Sequence, residues 1–195
     1  MIKFITLGPA GSNHQLVTER YIDFHGLQSR AEVTFFRTFQ EGAEQILKGE
    51  ADFMIQCAVH PSTVETVASY FEGLFVIDTF ISPSRDLAIV KNKKVDHPRK
   101  LAAMSPTLPY IDASKWEVIP EVTVMAVKEG LTSGRYEAGI CYTSLAEEHP
   151  DRFAIAEYIG SVDDAWIVYG RNKVTGDKLL AWPNSPAAAQ YREMV

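Results

Sequence analysis

The residues of this chain whose types suit chemistry stand at the ends of apolar runs. The first group is Gly8-Pro9-Ala10-Gly11-Ser12-Asn13-His14, directly after Phe4-Ile5-Thr6-Leu7. Strand, glycine turn and helix start, in that order, bring backbone N–H groups together at the positive end of a helix dipole, where a carboxylate or phosphate is held without a charged side chain. In that reading Gly11 and Ser12 touch the ligand, and His14, one turn inside the helix, faces either the ligand or solvent. The plainer reading is a tight turn allowed by glycine and a helix capped by Ser12. His60 ends another apolar run. With a reference pKa of about 6.5 it suits acid or base work, against a structural role beside Pro61. Ser62 and Thr63 follow it and either cap a helix or donate to a ligand. Ser105 and Thr107 flank Pro106 and either contact a ligand or shape the turn. Arg85 lies in a break between two strands, where it anchors a carboxylate or pairs with an Asp. Asp163 and Asp164 are read as a solvated turn or as one carboxyl group working in a cleft.

The elements that position these residues follow from apolar spacing. The pattern predicts a strand over 4–7, a helix over 13–24, a strand over 32–36, a helix over 38–47 stopped by Lys48-Gly49, and a strand over 51–59. That β-α-β-α-β order implies a parallel sheet of α/β type, whose ligands bind beyond the carboxyl ends of the strands. Both Gly8–Ser12 and His60–Thr63 fall there. A further helix is expected from Pro61-Ser62-Thr63, with Val64, Val67, Ala68 and Phe71 as its buried stripe, then a strand over 74–80 broken by Ile81-Ser82-Pro83-Ser84-Arg85. The pattern then restarts: strands over 86–90, 102–104 and 116–119, a helix after Thr123 with Val124, Ala126, Val127 and Leu131 inward, and a strand over 136–142. Residues 42–55 and 126–140 both read as amphipathic helix, glycine stop and apolar strand. This predicts two similar lobes, one of residues 1–82 plus 166–195 and one of residues 83–165, with a cleft between them and Ile167-Val168-Tyr169 rejoining the first. After Lys173, Trp182-Pro183 and Ala187-Ala188-Ala189 suggest a loosely packed tail or a contact with another subunit, and a homodimer is the assembly to test.

Composition narrows the function classes. With 46% hydrophobic and 23% charged residues the chain is ordinary for a soluble globular protein. A formal net charge of −6, with no Lys/Arg cluster to neutralise phosphates, argues against nucleic acid as a partner. Lys91-Asn92-Lys93-Lys94 reads as a solvated loop. No run is long and apolar enough to span a membrane and no signal segment is evident, so the expected location is cytoplasmic with no membrane partner. Cys57 and Cys141 lie in apolar runs and read as buried free thiols. Zinc spacing, the P-loop and the dinucleotide fingerprint are all missing, so no metal and no cofactor is expected.

Leu7-Gly8-Pro9-Ala10-Gly11-Ser12 followed by His14, the strand entry Gly49-Glu50-Ala51-Asp52-Phe53 and the Ser105-Pro106 turn together resemble the catalytic domain of prephenate dehydratase over residues 3–173. The resemblance implies a two-lobed periplasmic-binding-protein type II-like fold and a small cyclic dicarboxylate in the cleft. Two signature sites depart from that family. Val59-His60 stands where it has Glu-Asn, and Asp164-Ala165-Trp166 where it has Thr-Arg-Phe, the Thr being its proposed acid and the Arg its carboxylate ligand. Ala gives a carboxylate no donors, which makes Arg85 the replacement anchor. Asp164-Ala165-Trp166-Ile167-Val168-Tyr169-Gly170 is similar to the stand-alone prephenate decarboxylases of antibiotic pathways such as bacilysin's, which keep the substrate hydroxyl. The implied function is a lyase on prephenate or a similar small carboxylate, decarboxylation favoured over dehydration, with His60 and Asp164 as catalytic groups. The alternative is a non-catalytic cytoplasmic binder of a small anionic metabolite.

Overall fold

Among the residues described by the computed structural model, 1–174, 182 and 184–194, ten strands form two five-stranded sheets. The first part of the chain runs β1 (Ile2–Leu7), α1 (Asn13–Phe24), β2 (Ala31–Phe36), α2 (Phe39–Lys48), β3 (Phe53–Cys57), α3 (Thr63–Tyr70) and β4 (Phe75–Pro83). A second set follows: β5 (Leu87–Asn92), β6 (Lys100–Met104), two short 3-10 turns (Ser105–Tyr110 and Ala113–Lys115), β7 (Glu117–Glu121), α4 (Val124–Thr132), β8 (Ala138–Tyr142), α5 (Ser144–Glu148) and β9 (Phe153–Gly160). The chain then returns as β10 (Asp163–Gly170), and α6 (Pro186–Glu193) lies beyond it.

The first sheet has the order β2-β1-β3-β10-β4 and the second β7-β6-β8-β5-β9. In the first, β1 runs parallel to β2 and β3, and β10 runs antiparallel between β3 and β4. The second mirrors this, with β6 parallel to β7 and β8, and β5 antiparallel to β8 and β9. The architecture is a two-lobed α/β fold of the periplasmic-binding-protein kind. Buried apolar clusters cover both faces of the first sheet, one on the α2 side around Phe36, Ile46, Met54 and Tyr169, one on the α1 side around Phe4, Val17, Ile55 and Trp166. A third surrounds β5, β6, β8 and α4.

Local signals explain most of these elements. Thr38 accepts a hydrogen bond from the Glu41 N–H at 3.2 Å, and the Glu41 carboxylate takes the Arg37 N–H at 3.0 Å, so the first turn of α2 is satisfied reciprocally. Gly49 ends α2 in the left-handed region at φ +76°, which a side chain would disfavour. Thr123 caps α4 by accepting from the Ala126 N–H. The structure also differs from the sequence reading. Strand β4 runs through Ile81 to Pro83, so the first crossing narrows to residues 84–86. Strand β10 begins at Asp163, placing the return at 161–162, three residues ahead of the expected boundary. Elements α5 and β9 lie where no element was assigned. The tail expectation falls partly on residues 175–181, 183 and 195, outside the described residues.

Helix α3 shows the largest difference. Its expected core stripe faces solvent, with Val64 80% and Phe71 65% exposed, and its buried residues are Thr63 and Thr66. Helix α3 packs on α2, and Thr63 and Thr66 turn inward with their hydroxyls donating to the Cys57 and Ser62 carbonyls. Residues of β3 alternate faces, so Gln56 shares a face with Met54, and Met54 lies opposite Tyr169 on β10. Both Gln56 and Tyr169 are buried, and neither the Gln56 amide nor the Tyr169 hydroxyl has a hydrogen-bond partner.

Close packing under α2 gives a direct test. A methyl group at Gly42 would sit 2.6 Å from the Phe36 ring and 2.8 Å from the Met54 sulfur, both buried. Alanine gains about 1 kcal/mol of helix propensity over glycine, but overpacking costs about 1–3 kcal/mol. Gly42→Ala is therefore expected to lower stability, read as a lower urea midpoint. A raised midpoint would contradict this packing.

Candidate functional site

In sheets of this type a ligand lies beyond the carboxyl ends of the parallel strands. Here those ends are Leu7, Cys57 and, in the second sheet, Met104; Tyr142 closes β8 nearby. An open depression of about 610 Å3 lined by Met1, Ile2, Ser29, Arg30, Asp52 and Phe53 lies at the other end of the first sheet, where its strands begin. Its position opposes any link to the residues singled out above.

Four polar residues meet where the chain passes between the sheets. The Asn13 side-chain N–H donates to the Ser84 hydroxyl at 2.7 Å, and Ser84 donates to the Asp164 carboxylate. The Asn13 side-chain oxygen accepts the Arg85 backbone N–H at 3.0 Å. So the first residue of α1, the first two residues of the first crossing and the start of β10 form one network. The Arg85 guanidinium stands 5.7 Å from the centre of the Tyr142 ring, and its Nε is buried without a hydrogen-bond partner among the described residues. Burial pushes the Tyr142 hydroxyl up, while the Asn13 backbone N–H and the Arg85 charge oppose that shift. The end of β8 thus lies against the start of α1.

Aromatic and imidazole rings lie beside this network. His14 sits 5.1 Å from Trp166, 5.7 Å from Phe39 and 6.0 Å from His60, and His60 is 4.8 Å from Phe39. The His14 Nε2 accepts the Cys57 backbone N–H at 3.4 Å, which puts its proton on Nδ1. Desolvation first, and the neighbouring His60 second, hold its pKa down at about 3. His60 Nδ1 accepts the Ser62 backbone N–H at 3.1 Å, leaving its proton on Nε2, and burial lowers its pKa as well. Both imidazoles are neutral at pH 7. Burial, with the Asp164 charge adding to it, holds the Cys57 thiol up at about 11, and burial with the same carboxylate raises Tyr110 of the first 3-10 turn.

The glycine loop is a correction. The Gly11 N–H is taken by the Gln15 side chain at 2.6 Å, the Ser12 N–H donates to Pro9, and the Ser12 hydroxyl donates to the Leu7 carbonyl while accepting from the Gln15 N–H. Ser12 is buried, and a side chain at Gly11 would meet Met125 of α4. The loop is a self-satisfied cap packed against the second sheet's helix, so its amides are not the open anion site expected. Thr63 and Thr107 are buried too, donating to the Cys57 and Met104 carbonyls, and hold turns instead of a ligand. The Ser62 side chain makes no cap bond and Ser105 is exposed. The structure brings together His14, His60, Arg85 and Asp164, and adds Asn13, Ser84, Tyr142 and Cys57. Asn13 and Ser84 carried a weak sequence signal, each next to a residue already singled out. Tyr142 carried none.

No family model matches this chain, and no curated protein sequence matches it. Solved structures share its fold. A prephenate dehydratase from Arthrobacter aurescens, in complex with L-Phe, superposes with a TM-score of 0.67 at 19% identity, over 97% of this chain and 70% of that one. The prephenate dehydratase from Staphylococcus aureus gives 0.60 at 12% identity, over 89% and 67%. The periplasmic VFT2 domain of Bordetella pertussis BvgS gives 0.50 at 15% identity, over 87% and 80%. At these identities the likeness is one of fold.

The buried imidazole makes a pH prediction. The pKa of His14 is lower in the folded chain than in the unfolded one, so the folded state binds fewer protons. Its contribution is complete above about pH 6.5 and is lost as pH falls toward 3. In that window His14 alone makes stability fall by about 1 kcal/mol per pH unit. Denaturant unfolding from pH 7 to 4 is expected to show a shallower decline in His14→Phe than in the wild type. Equal slopes would show that His14 does not have to stay neutral.

Proposed function

We propose that this chain binds a small ring compound bearing a carboxylate between its two sheets and acts on it as a lyase, on prephenate or a close relative, removing carbon dioxide in preference to water. The observation that carries this reading is Arg85, a cation at the crossing whose Nε is buried with no partner of its own. An unpaired buried donor costs about 1–3 kcal/mol, and a ligand carboxylate satisfies it with a charge-assisted bond. With the loop amides already engaged, Arg85 is the anchor, and Asn13 fixes its backbone.

The rest of the site divides by charge. The His14 and His60 rings, backed by the buried Phe39 and Trp166, offer a neutral, largely apolar wall. A second carboxylate held against such a wall loses hydration without gaining a cation, and its departure as carbon dioxide relieves that desolvation. The proton that then goes to the ring comes from solvent, taken up and passed on by the Asp164 carboxylate, which ends the step ionised as it began, and the hydrogen bond that holds the retained hydroxyl falls to the His60 Nε2–H. Fold likeness to two prephenate dehydratases supports the substrate class. The replacement of their Thr-Arg-Phe signature by Asp164-Ala165-Trp166 supports the change of reaction.

Incubation with prephenate and mass detection of all products tests this. Loss of carbon dioxide with the hydroxyl retained is expected. Arg85→Ala is expected to weaken substrate binding on the order of a hundredfold, since about 3 kcal/mol goes with a buried charged bond. His60→Ala and Asp164→Asn are expected to lower kcat with little change in KM. Phenylpyruvate as product would mean that Asp164 serves as a dehydratase acid. Unchanged prephenate that still raises the melting temperature would replace the lyase by a non-catalytic binder.

A further inference from the structure

His60 and Asp164 stand at strand ends of the first sheet, and Arg85 on the crossing. In the second sheet, strand β6 ends at Met104, one of the carboxyl ends beyond which a ligand lies. The 3-10 turn Ser105–Tyr110 begins at that end. Thr107 is buried in it, and its hydroxyl donates to the Met104 carbonyl at 2.7 Å. Residues three apart lie one above the other in a 3-10 helix. Tyr110 therefore stands one turn further out on the side of Thr107, beyond the end of β6. Leu108 and Ile111 pack on the core of the second sheet, and the Ile111 N–H closes on the Leu108 carbonyl at 3.2 Å. Pro106 and Pro109 fix φ at two further positions. The turn is a rigid mount for Tyr110.

Tyr110 is 44% exposed, and among the described residues its hydroxyl makes no hydrogen bond and its ring meets no other ring. Burial first, then the Asp164 carboxylate and Cys57, raise its pKa. Both of those groups belong to the first sheet, one at the start of β10 and one at the end of β3. A side chain mounted on the second sheet thus points across the gap to the ends of two first-sheet strands, and it keeps its proton at pH 7. A neutral O–H donor without a partner, half in water and facing Asp164, is placed to meet a ligand.

The geometry points to Tyr110 as the second sheet's contact to the ligand, its O–H donating to the hydroxyl oxygen of a hydroxylated ring and so selecting which face of the ring carries that group. This inference rests on the reading of the site as one for prephenate or a close relative. The carboxylates of such a ligand are already provided for. One has Arg85, and the departing one loses its charge most easily where no donor holds it. The ring hydroxyl of prephenate stands on the carbon opposite the one that bears the departing carboxylate. A hydroxyl oxygen has two lone pairs, one for the His60 Nε2–H and one for Tyr110 from the opposite sheet. In the epimer at that carbon the hydroxyl leaves from the other ring face. Tyr110 then meets a C–H, and its donor goes unpaired in a site that has excluded water.

Prephenate and its epimer at the hydroxyl-bearing carbon, each added to the wild type and to Tyr110→Phe, test this. Affinity is read from the rise in melting temperature over a range of ligand concentrations, and turnover as kcat/KM; affinity decides with or without turnover. The substitution removes one oxygen from a half-exposed side chain, so the circular dichroism is expected to stay that of the wild type. The wild type is expected to prefer prephenate about tenfold or more, and Tyr110→Phe to lose about tenfold for prephenate and little for the epimer, the factor that one hydrogen bond carries. A merely structural role weakens both ligands alike, and that result overturns the contact. So does a variant that binds prephenate as tightly as the wild type. A wild type that binds neither epimer is a different outcome, which overturns the reading of the site and the role of Tyr110 with it.

Discussion

The Asn13 side chain holds the two sheets in register, and the candidate chemistry depends on that hold. A carboxamide is one of the few groups that donates and accepts at once, and both halves are used: the nitrogen toward Ser84, the oxygen toward the Arg85 N–H. Through Ser84 the bond extends to Asp164 at the start of β10. Both crossings between the sheets are therefore tied to the first residue of α1. A second tie comes from Arg20, further along the same helix, whose guanidinium donates to the Pro83 carbonyl at 2.6 Å. Because Arg85 lies on the first crossing and Asp164 stands at the start of β10, two residues past the second, any change in the angle between the sheets moves the proposed anchor and the proposed acid together.

Polar bookkeeping at the helix starts explains why the ligand falls to a side chain. A helix N-terminus attracts an anion only while its amides lack partners. In α1 the Gln15 side chain turns back to the Gly11 N–H, Ser12 serves both its own cap and the Leu7 carbonyl, and Met125 stands over Gly11. Nothing in the pattern Gly-Pro-Ala-Gly-Ser distinguishes a filled cap from an open one. That distinction depends on Gln15, which reads as an ordinary helix surface residue, and on a methionine more than a hundred residues away.

The legible parts of the chain are those governed by local rules. Helix caps at Ser12, Thr38 and Thr123, the stop at Gly49 and the parallel β-α-β-α-β opening follow from neighbouring residues, and the two-lobed fold follows from their repetition. The antiparallel strands were harder. Strand β9 exposes half its length, so its short apolar run Phe153-Ala154-Ile155-Ala156 lacks the pattern of a buried strand, and β10 starts with two aspartates that read as a turn. Helix α3 misled for another reason. Its apolar period is genuine, but the helix packs on α2 and turns inward Thr63 and Thr66, whose hydroxyls bond the Cys57 and Ser62 carbonyls. In the site, His60 and Arg85 were visible because strand ends and crossings line clefts. Tyr142 was not, since a tyrosine ending an apolar strand looks like core until Arg85 is placed over it.

The two histidines show how burial selects a chemistry. Each has one ring nitrogen taken by a backbone N–H, Cys57 for His14 and Ser62 for His60. Accepting that bond requires a lone pair, so it opposes the doubly protonated ring, and burial opposes it again. A charged imidazolium there would hold a carboxylate in place by attraction. A neutral pair removes that attraction while keeping one N–H for a hydroxyl. With cationic character concentrated at Arg85, the two ends of the proposed dicarboxylate would meet different surroundings, one paired and one desolvated. In the proposed reaction that asymmetry, more than the identity of any single acid, favours losing one carboxylate while the other remains bound.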